Sequence, residues 1–271
     1  MKPTGNYPLS PGPEEMQRLR MQAQAMEPDA DVLLAHIGVQ PGWRCLDLAC
    51  GVGGITNLLS RRVGPTGRVI GLDSDAEPLT AAREWAASDR LFNVEFVEGD
   101  AYRTGLPAEF FDLVHVRFLF SAVGHDEELL AEMLRVTRPG GVVAVQEVDL
   151  ATLRCYPALA AWDRLTSVLA ALLARTGGDG AAGPRMFGML RRAGLDDVRL
   201  RPFLVAFRSD DAMVSYLPRT INSLRDKIVA LGLMSDAEID GAITACERHL
   251  VDPDTVSTSY LVFQVWGQKN G

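Results

Sequence analysis

LDLACGVGGIT (Leu46–Thr56) sets a short apolar run against a close group of glycines, with one carboxylate, Asp47, inside the run. Glycines placed like this let a backbone pass close to a ligand, and the helix start beyond them leaves N–H groups unpaired. A carboxylate within a strand needs hydrogen-bond donors or a cationic ligand. A dinucleotide fingerprint begun at Gly51 would need glycine at position 56, where Thr56 stands. A phosphate loop would need Gly-Lys followed by Ser or Thr, which is absent after these glycines.

Around this stretch strands and helices alternate. RCLDLAC (44–50), RVIGLD (68–73), VEFVEGD (94–100), FDLVHVRF (111–118) and VVAVQEVD (142–149) read as strands. Helices are expected over Ile55–Val63, from about Glu77 to Ser88, and over Glu127–Val136. Units this short imply a parallel sheet with helices on both faces. GPTG (64–67) and RPGG (138–141) read as tight reversals. Upstream, residues 1–13 read as an arm, and from Glu14 to about Gly38 the pattern is helical. Downstream come a helix over 157–175, a glycine-rich loop, a helix over 186–195 and an edge strand over 197–207, which Pro202 keeps off the sheet interior. Residues from Asp210 to about Leu250 are helical, and TSYLVFQVWGQ (258–268) is a closing strand. The stripes Met213, Tyr216, Leu217, Ile221, Leu224 and Trp162, Leu165, Leu169 read first as core packing and second as an apolar roof over a bulky organic ligand.

The pattern D-x-A-x-G-x-G at 47–53 resembles the first motif of the class I S-adenosylmethionine-dependent methyltransferases, with Ala49 where that family usually has its first glycine. The variant resembles the branch of the ubiquinone and menaquinone biosynthesis methyltransferases. GLDSD (71–75), EGDA (98–101), FDLVHVRF and RVTRPGGVVAV (135–145) fall in the order of the family's later motifs. The resemblance implies an α/β fold: a Rossmann-like, doubly wound seven-stranded sheet, mostly parallel with an antiparallel last strand, carrying helical lid insertions. It divides the chain into an N-terminal arm and helix (1–38) and a methyltransferase domain (39–271), with insertions at about 151–183 and 210–252. It implies S-adenosyl-L-methionine as cofactor, held by Asp47, Gly51 and Gly53. Asp73 and Ser74 would stand at the ribose, Asp100 and Ala101 at the adenine, and Val116 and Arg117 at the methionine portion. Tyr7 in the arm is expected to fold over it.

A general base is needed only if the acceptor is protonated at neutral pH. His125 after the fourth strand, and Glu147 and Asp149 at the end of the fifth, are the catalytic candidates by position; His115 reads as a satisfied core or cleft histidine. No carboxylate cluster suits a metal, and the four cysteines show no metal-ligand spacing with the histidines. The net charge of −8 argues against nucleic acid and anionic membranes as partners. The N-terminus lacks a signal-like apolar core and no apolar run spans a bilayer, so a cytoplasmic protein is expected. The expected partner is a small hydrophobic acceptor, methylated at O, N or C, in secondary metabolism; the helical insertions can also form a homodimer interface. The other reading is a protein that binds the cofactor without transferring its methyl group, as a cyclase or decarboxylase would.

Overall fold

The computed structural model describes residues 12–271. The expected N-terminal helix is two: α1 (Pro13–Ala25) and α2 (Glu27–Ile37). Pro28 explains the break, because it lacks an N–H and its ring would strike the carbonyl one turn back. Then β1 (Arg44–Leu48), α3 (Gly54–Val63), β2 (Arg68–Asp73), α4 (Ala76–Ser88), β3 (Val94–Glu98) and β4 (Phe111–Arg117) alternate as the sequence implies. A single turn, α5 (Phe120–Val123), precedes α6 (Asp126–Val136) and β5 (Thr137–Asp149).

The sheet order is β3-β2-β1-β4-β5-β10-β7, with β7 at Asp196–Phe203 and β10 at Leu261–Gln268. Strands β1 to β5 pair in parallel, while β10 runs antiparallel to β5 and β7. Strand order reverses beside β1, and ligands in open sheets bind beyond the strand C-termini at such a point. RPGG is not the reversal expected of it. Those residues lie inside β5, where pairing with β4 jumps from Phe111↔Thr137 to Leu113↔Val142. Pro139, which has no N–H to give the ladder, and Gly140 at φ 70° are absorbed in that irregularity.

One sheet face packs Cys45, Leu113, Ala144 and Trp266 under α2 and α3; the other packs Leu46, Val114, Val143 and Val145 under α6 and α8 (Ala182–Arg192). The segment after β5 carries β6 (Cys155–Tyr156) and α7 (Ala160–Thr176). The segment after β7 carries β8 (Ala206–Arg208), α9 (Tyr216–Ser223), α10 (Arg225–Ala230), α11 (Asp236–Leu250) and β9 (Val256–Thr258). These parts share one apolar core, in which Trp162, Leu165 and Leu172 of α7 meet Leu217, Ile221, Ile239 and Cys246. The insertions are not purely helical: β6, β9 and β8 form a small antiparallel sheet, too short to stand out in the sequence.

Candidate cofactor and acceptor site

Beyond β1 the chain turns through three left-handed residues, Ala49 (φ 50°), Gly51 (φ 52°) and Gly53 (φ 83°). The loop is tied to β2 twice: Cys50 N–H donates to the Leu72 carbonyl (3.0 Å), and Gly51 N–H to Asp73 Oδ2 (2.8 Å). Asp73 Oδ1 accepts from Asp75 N–H at 3.1 Å, while Asp75 itself caps α4 through Glu77 N–H at 3.0 Å. Each oxygen of Asp73 therefore keeps a lone pair for two further donors. Burial raises the Asp73 carboxyl above its usual range, opposed by the Gly51 and Asp75 N–H groups. Gly54 opens α3 against α1, where a Cβ would stand 2.6 Å from the Cβ of Ala23.

Asp47 is buried, and both its oxygens are engaged: Oδ2 by the Thr56 hydroxyl (2.7 Å) and Oδ1 by His115 Nδ1 (2.9 Å). Thr56, which excluded the dinucleotide motif, is thus a partner of the strand carboxylate. The chain of bonds continues across the sheet. Gln146 Nε2 lies 3.0 Å from His115 Nε2, Gln264 Nε2 donates to Gln146 Oε1 (3.0 Å), and Arg201 Nη1 donates to Gln264 Oε1 (2.8 Å). Arg201 ends the series on Asp29 of α2, at 2.6 Å. Arginine only donates, which fixes the orientation of each amide in turn and assigns the His115 proton to Nδ1. Every link therefore points the same way, from Arg201 on the edge strand to Asp47, over four strand spacings or roughly 19 Å. Aligned donors of this kind polarise one another in a low dielectric.

A cavity of about 880 Å³ opens above these strand ends. One end is walled by Asp47, Ala49, Gly51, Asp73, Ser74, Asp100 and Ala101, and the other by groups from α1, α7, α9 and Tyr260 just before β10. Arg117, at the end of β4, stands between them. Among the described residues none accepts a hydrogen bond from its guanidinium: Nη1 is buried without a partner, and its near neighbour is the Phe118 ring at 5.5 Å. Burial lowers its pKa, opposed by the charge of Asp47, and taking a guanidinium N–H out of water without an acceptor is costly.

The structure does not bring all the expected residues together. Gly53 turns away from the cavity, its α-carbon packed toward Ala82 and Phe96, and Val116 is buried in the core beneath. Tyr7 lies outside the described residues. None of the three catalytic candidates lines the cavity. His125 is exposed at the start of α6, 3.6 Å from Glu128. Glu147 is fully buried and accepts from Phe120 N–H (2.7 Å) and Ser121 N–H (3.3 Å), so it holds the α5 turn; burial lifts its pKa to about 7. Asp149 accepts from Ala151 N–H at 3.1 Å, capping the turn after β5. Sequence reasoning missed Arg18 and Gln22 on α1, Lys227 on α10 and Tyr260 just before β10, all in the cavity wall. The four-residue spacing of Arg18 and Gln22, which puts both on one helix face, was the available signal.

This is the Rossmann-like fold of methyltransferases. Residues 45–141 match the family model described as "Methyltransferase domain". The ubiquinone/menaquinone biosynthesis C-methyltransferase of Stutzerimonas stutzeri (strain A1501) is 40% identical over 116 residues, 42% of this chain and 45% of that protein. The chain thus spans less than half the length of the curated relatives it matches. Among solved structures, phosphoethanolamine N-methyltransferase 2 of Haemonchus contortus, in complexes with S-adenosyl-L-methionine or with S-adenosylhomocysteine, has a TM-score of 0.56 at 17% identity, covering 90% of this chain and 53% of that one. The (4+2)-cyclase SpnF has a TM-score of 0.57 at 18% identity, covering 92% of this chain and 83% of that one. Over residues 45–141 the chain is thus similar to methyltransferase domains, and one solved structure of the same fold holds S-adenosyl-L-methionine.

The residues present fit that cofactor. Asp73 has acceptor capacity left for two adjacent ribose hydroxyls, and Arg117, with its buried Nη1 unpartnered and 3.6 Å from Nη2 to the position a Gly54 Cβ would take at the start of α3, suits a carboxylate.

Proposed function

We propose that the chain transfers a methyl group from S-adenosylmethionine to a hydrophobic small molecule held under the insertions. The observation that carries this is the continuity of one cavity from Asp73 and Asp100 to an apolar chamber walled by Phe118, Leu150, Leu169, Leu173 and Leu224. When bound, the cofactor supplies an activated methyl group on a sulfonium. The protein's part is to hold the two ends apart and aligned: Asp73 and Asp100 at the nucleoside end, Arg117 at the amino-acid carboxylate, and the apolar chamber around the acceptor. Positioning of this kind, with water displaced, can supply roughly 7–11 kcal/mol of a barrier. Where the acceptor must lose a proton, Lys227 is the amine that the cavity wall offers. The reading extends to a cytoplasmic setting, supported by four unbridged buried cysteines, and to an acceptor from secondary metabolism, supported by the apolar chamber. It also takes in pairing of two copies through the insertions, and no nucleic-acid partner at a net charge of −8. Among the described residues no helix is long and apolar enough to cross a membrane.

The alternative, cofactor binding without methyl transfer, draws on one observation: His125, Glu147 and Asp149 all stand away from the cavity. Incubation with S-adenosylmethionine and a panel of phenols, amines and enolisable ketones separates the two. S-adenosylhomocysteine that accumulates with an acceptor supports transfer; conversion of an acceptor with no S-adenosylhomocysteine supports the alternative.

A further inference from the structure

Two phenols stand in the acceptor wall with one proton more than the protein uses. Tyr216 and Tyr260 are both nearly buried, their rings meet edge to face, and their hydroxyl oxygens lie 3.1 Å apart. Gln22 fixes the direction of the bonds. Arg18 Nη1 donates to Gln22 Oε1 (3.1 Å), so the amide nitrogen of Gln22 must be the group donating to the Tyr260 oxygen, at 2.8 Å. Arg18 is held in turn by Glu15, at 2.6 Å. The pair has two O–H donors, and only one can be spent between the two oxygens. If Tyr260 donates to Tyr216, the Tyr216 proton is left; if Tyr216 donates to Tyr260, the Tyr260 proton is left. Among the described residues no further acceptor is bonded to either hydroxyl, and both residues line the cavity beside Phe118, which packs edge to face on Tyr260. Burial holds the Tyr260 hydroxyl well above the ordinary phenol range, so the spare proton is given in a hydrogen bond and not released.

We propose that this spare phenolic O–H is the recognition element of the acceptor site. The ligand class it fits is a largely apolar molecule that presents one hydrogen-bond-accepting oxygen, such as a carbonyl, enolate or phenolate, toward Tyr216 and Tyr260. The proposal rests on the methyl-transfer reading of the cavity. The surrounding wall accounts for the rest of the class: Phe118, Leu169 and Leu224 take an apolar body, while a ligand group that could only donate would leave the spare proton unpaired.

The same accounting predicts an unusual mutational pattern. In Tyr216→Phe, Tyr260 still accepts from Gln22 and now directs its own proton into the cavity. In Tyr260→Phe, the Tyr216 proton is free to do the same. One phenolic donor survives either single change; the double variant, made together with Gln22→Leu because Tyr260→Phe frees the Gln22 amide N–H, keeps none.

The test uses two probes of matched shape, 2-acetylnaphthalene and 2-isopropenylnaphthalene, in which a CH2 group replaces the carbonyl oxygen. They are titrated calorimetrically into the chain already saturated with S-adenosylhomocysteine. The saturation step is itself read first: no binding of S-adenosylhomocysteine to the wild type refutes the cofactor reading, separately from the present one. With the cofactor product bound, the ketone is expected to bind at least tenfold more tightly than the alkene, although the alkene is the more hydrophobic. That preference should change by less than about threefold in each single variant and disappear in the double variant. Equal or tighter binding of the alkene, binding of neither probe, or a preference that survives in the double variant overturns the proposal. S-adenosylhomocysteine affinity of the double variant reports its folding. If that affinity is lost while the protein still unfolds cooperatively, the pair serves the cofactor and the proposal fails.

Discussion

Substituting Gln146 by methionine interrupts the bond series to Asp47 at its midpoint, in a side chain only 1% exposed. Methionine matches glutamine in length, so the change removes polarity with little volume. Gln264 Nε2 keeps one N–H on the Asp29 carbonyl at 3.0 Å and loses the partner of the other, and the His115 ring nitrogen facing Gln146 loses its donor. Each buried group left unpaired costs about 1–3 kcal/mol of stability. His115→Phe orphans two other groups, Oδ1 of Asp47 and the Gln146 N–H that faced the ring, at about 1–3 kcal/mol each. In the double variant the interrupted link has an apolar group on both sides, and its cost should fall short of the sum of the singles by at least about 1 kcal/mol. Urea unfolding of the four proteins gives the cycle, and 15N-labelled histidine spectra of the wild type should show the His115 proton on Nδ1. Additivity within about 0.5 kcal/mol, or a proton on Nε2, would refute the directional series.

Two further outcomes follow from the site. Ala49 occupies a left-handed conformation that costs a residue with a side chain about 1–2 kcal/mol, whereas glycine adds about 0.5–1 kcal/mol of chain entropy. Ala49→Gly should therefore be neutral or stabilising by up to about 1.5 kcal/mol in urea unfolding, and a loss beyond about 1 kcal/mol would count against the strain. Glu147 binds its proton more tightly in the folded protein than in the unfolded chain, with a pKa raised from 4.5 to about 7 by burial. Its contribution is full below about pH 4.5 and is lost as the pH rises to about 7, at most about 3 kcal/mol. Glu147→Gln should flatten that part of the stability curve; an unchanged slope between those pH values would show that the carboxyl ionises freely.

The parallel sheet and the cofactor end were legible because both are local in sequence. Asp47, the glycines and Asp73 lie within one β-α-β unit, and the periodicity of its strands is visible over a few residues. Strand position misled where side-chain direction mattered: Gln146 and Glu147 are neighbours on β5 but face opposite sides of the sheet, one toward His115 and the other under the α5 turn. His115 is satisfied by Asp47 and Gln146, but the series it belongs to draws its other members from four other strands, and nothing local indicates the register that aligns them. The acceptor wall was hidden for the same reason. Gln22 and Tyr260 are 238 residues apart, and only the packing of α1 against the inserted helices brings them together.

The account turns on the cofactor end of the cavity, and calorimetric titration of S-adenosylmethionine into the wild type and Asp73→Ala tests it most directly. Micromolar binding by the wild type, weakened at least tenfold in the variant (about 1.4 kcal/mol), is the predicted result. No heat with the wild type, together with no protection against thermal unfolding, would contradict it.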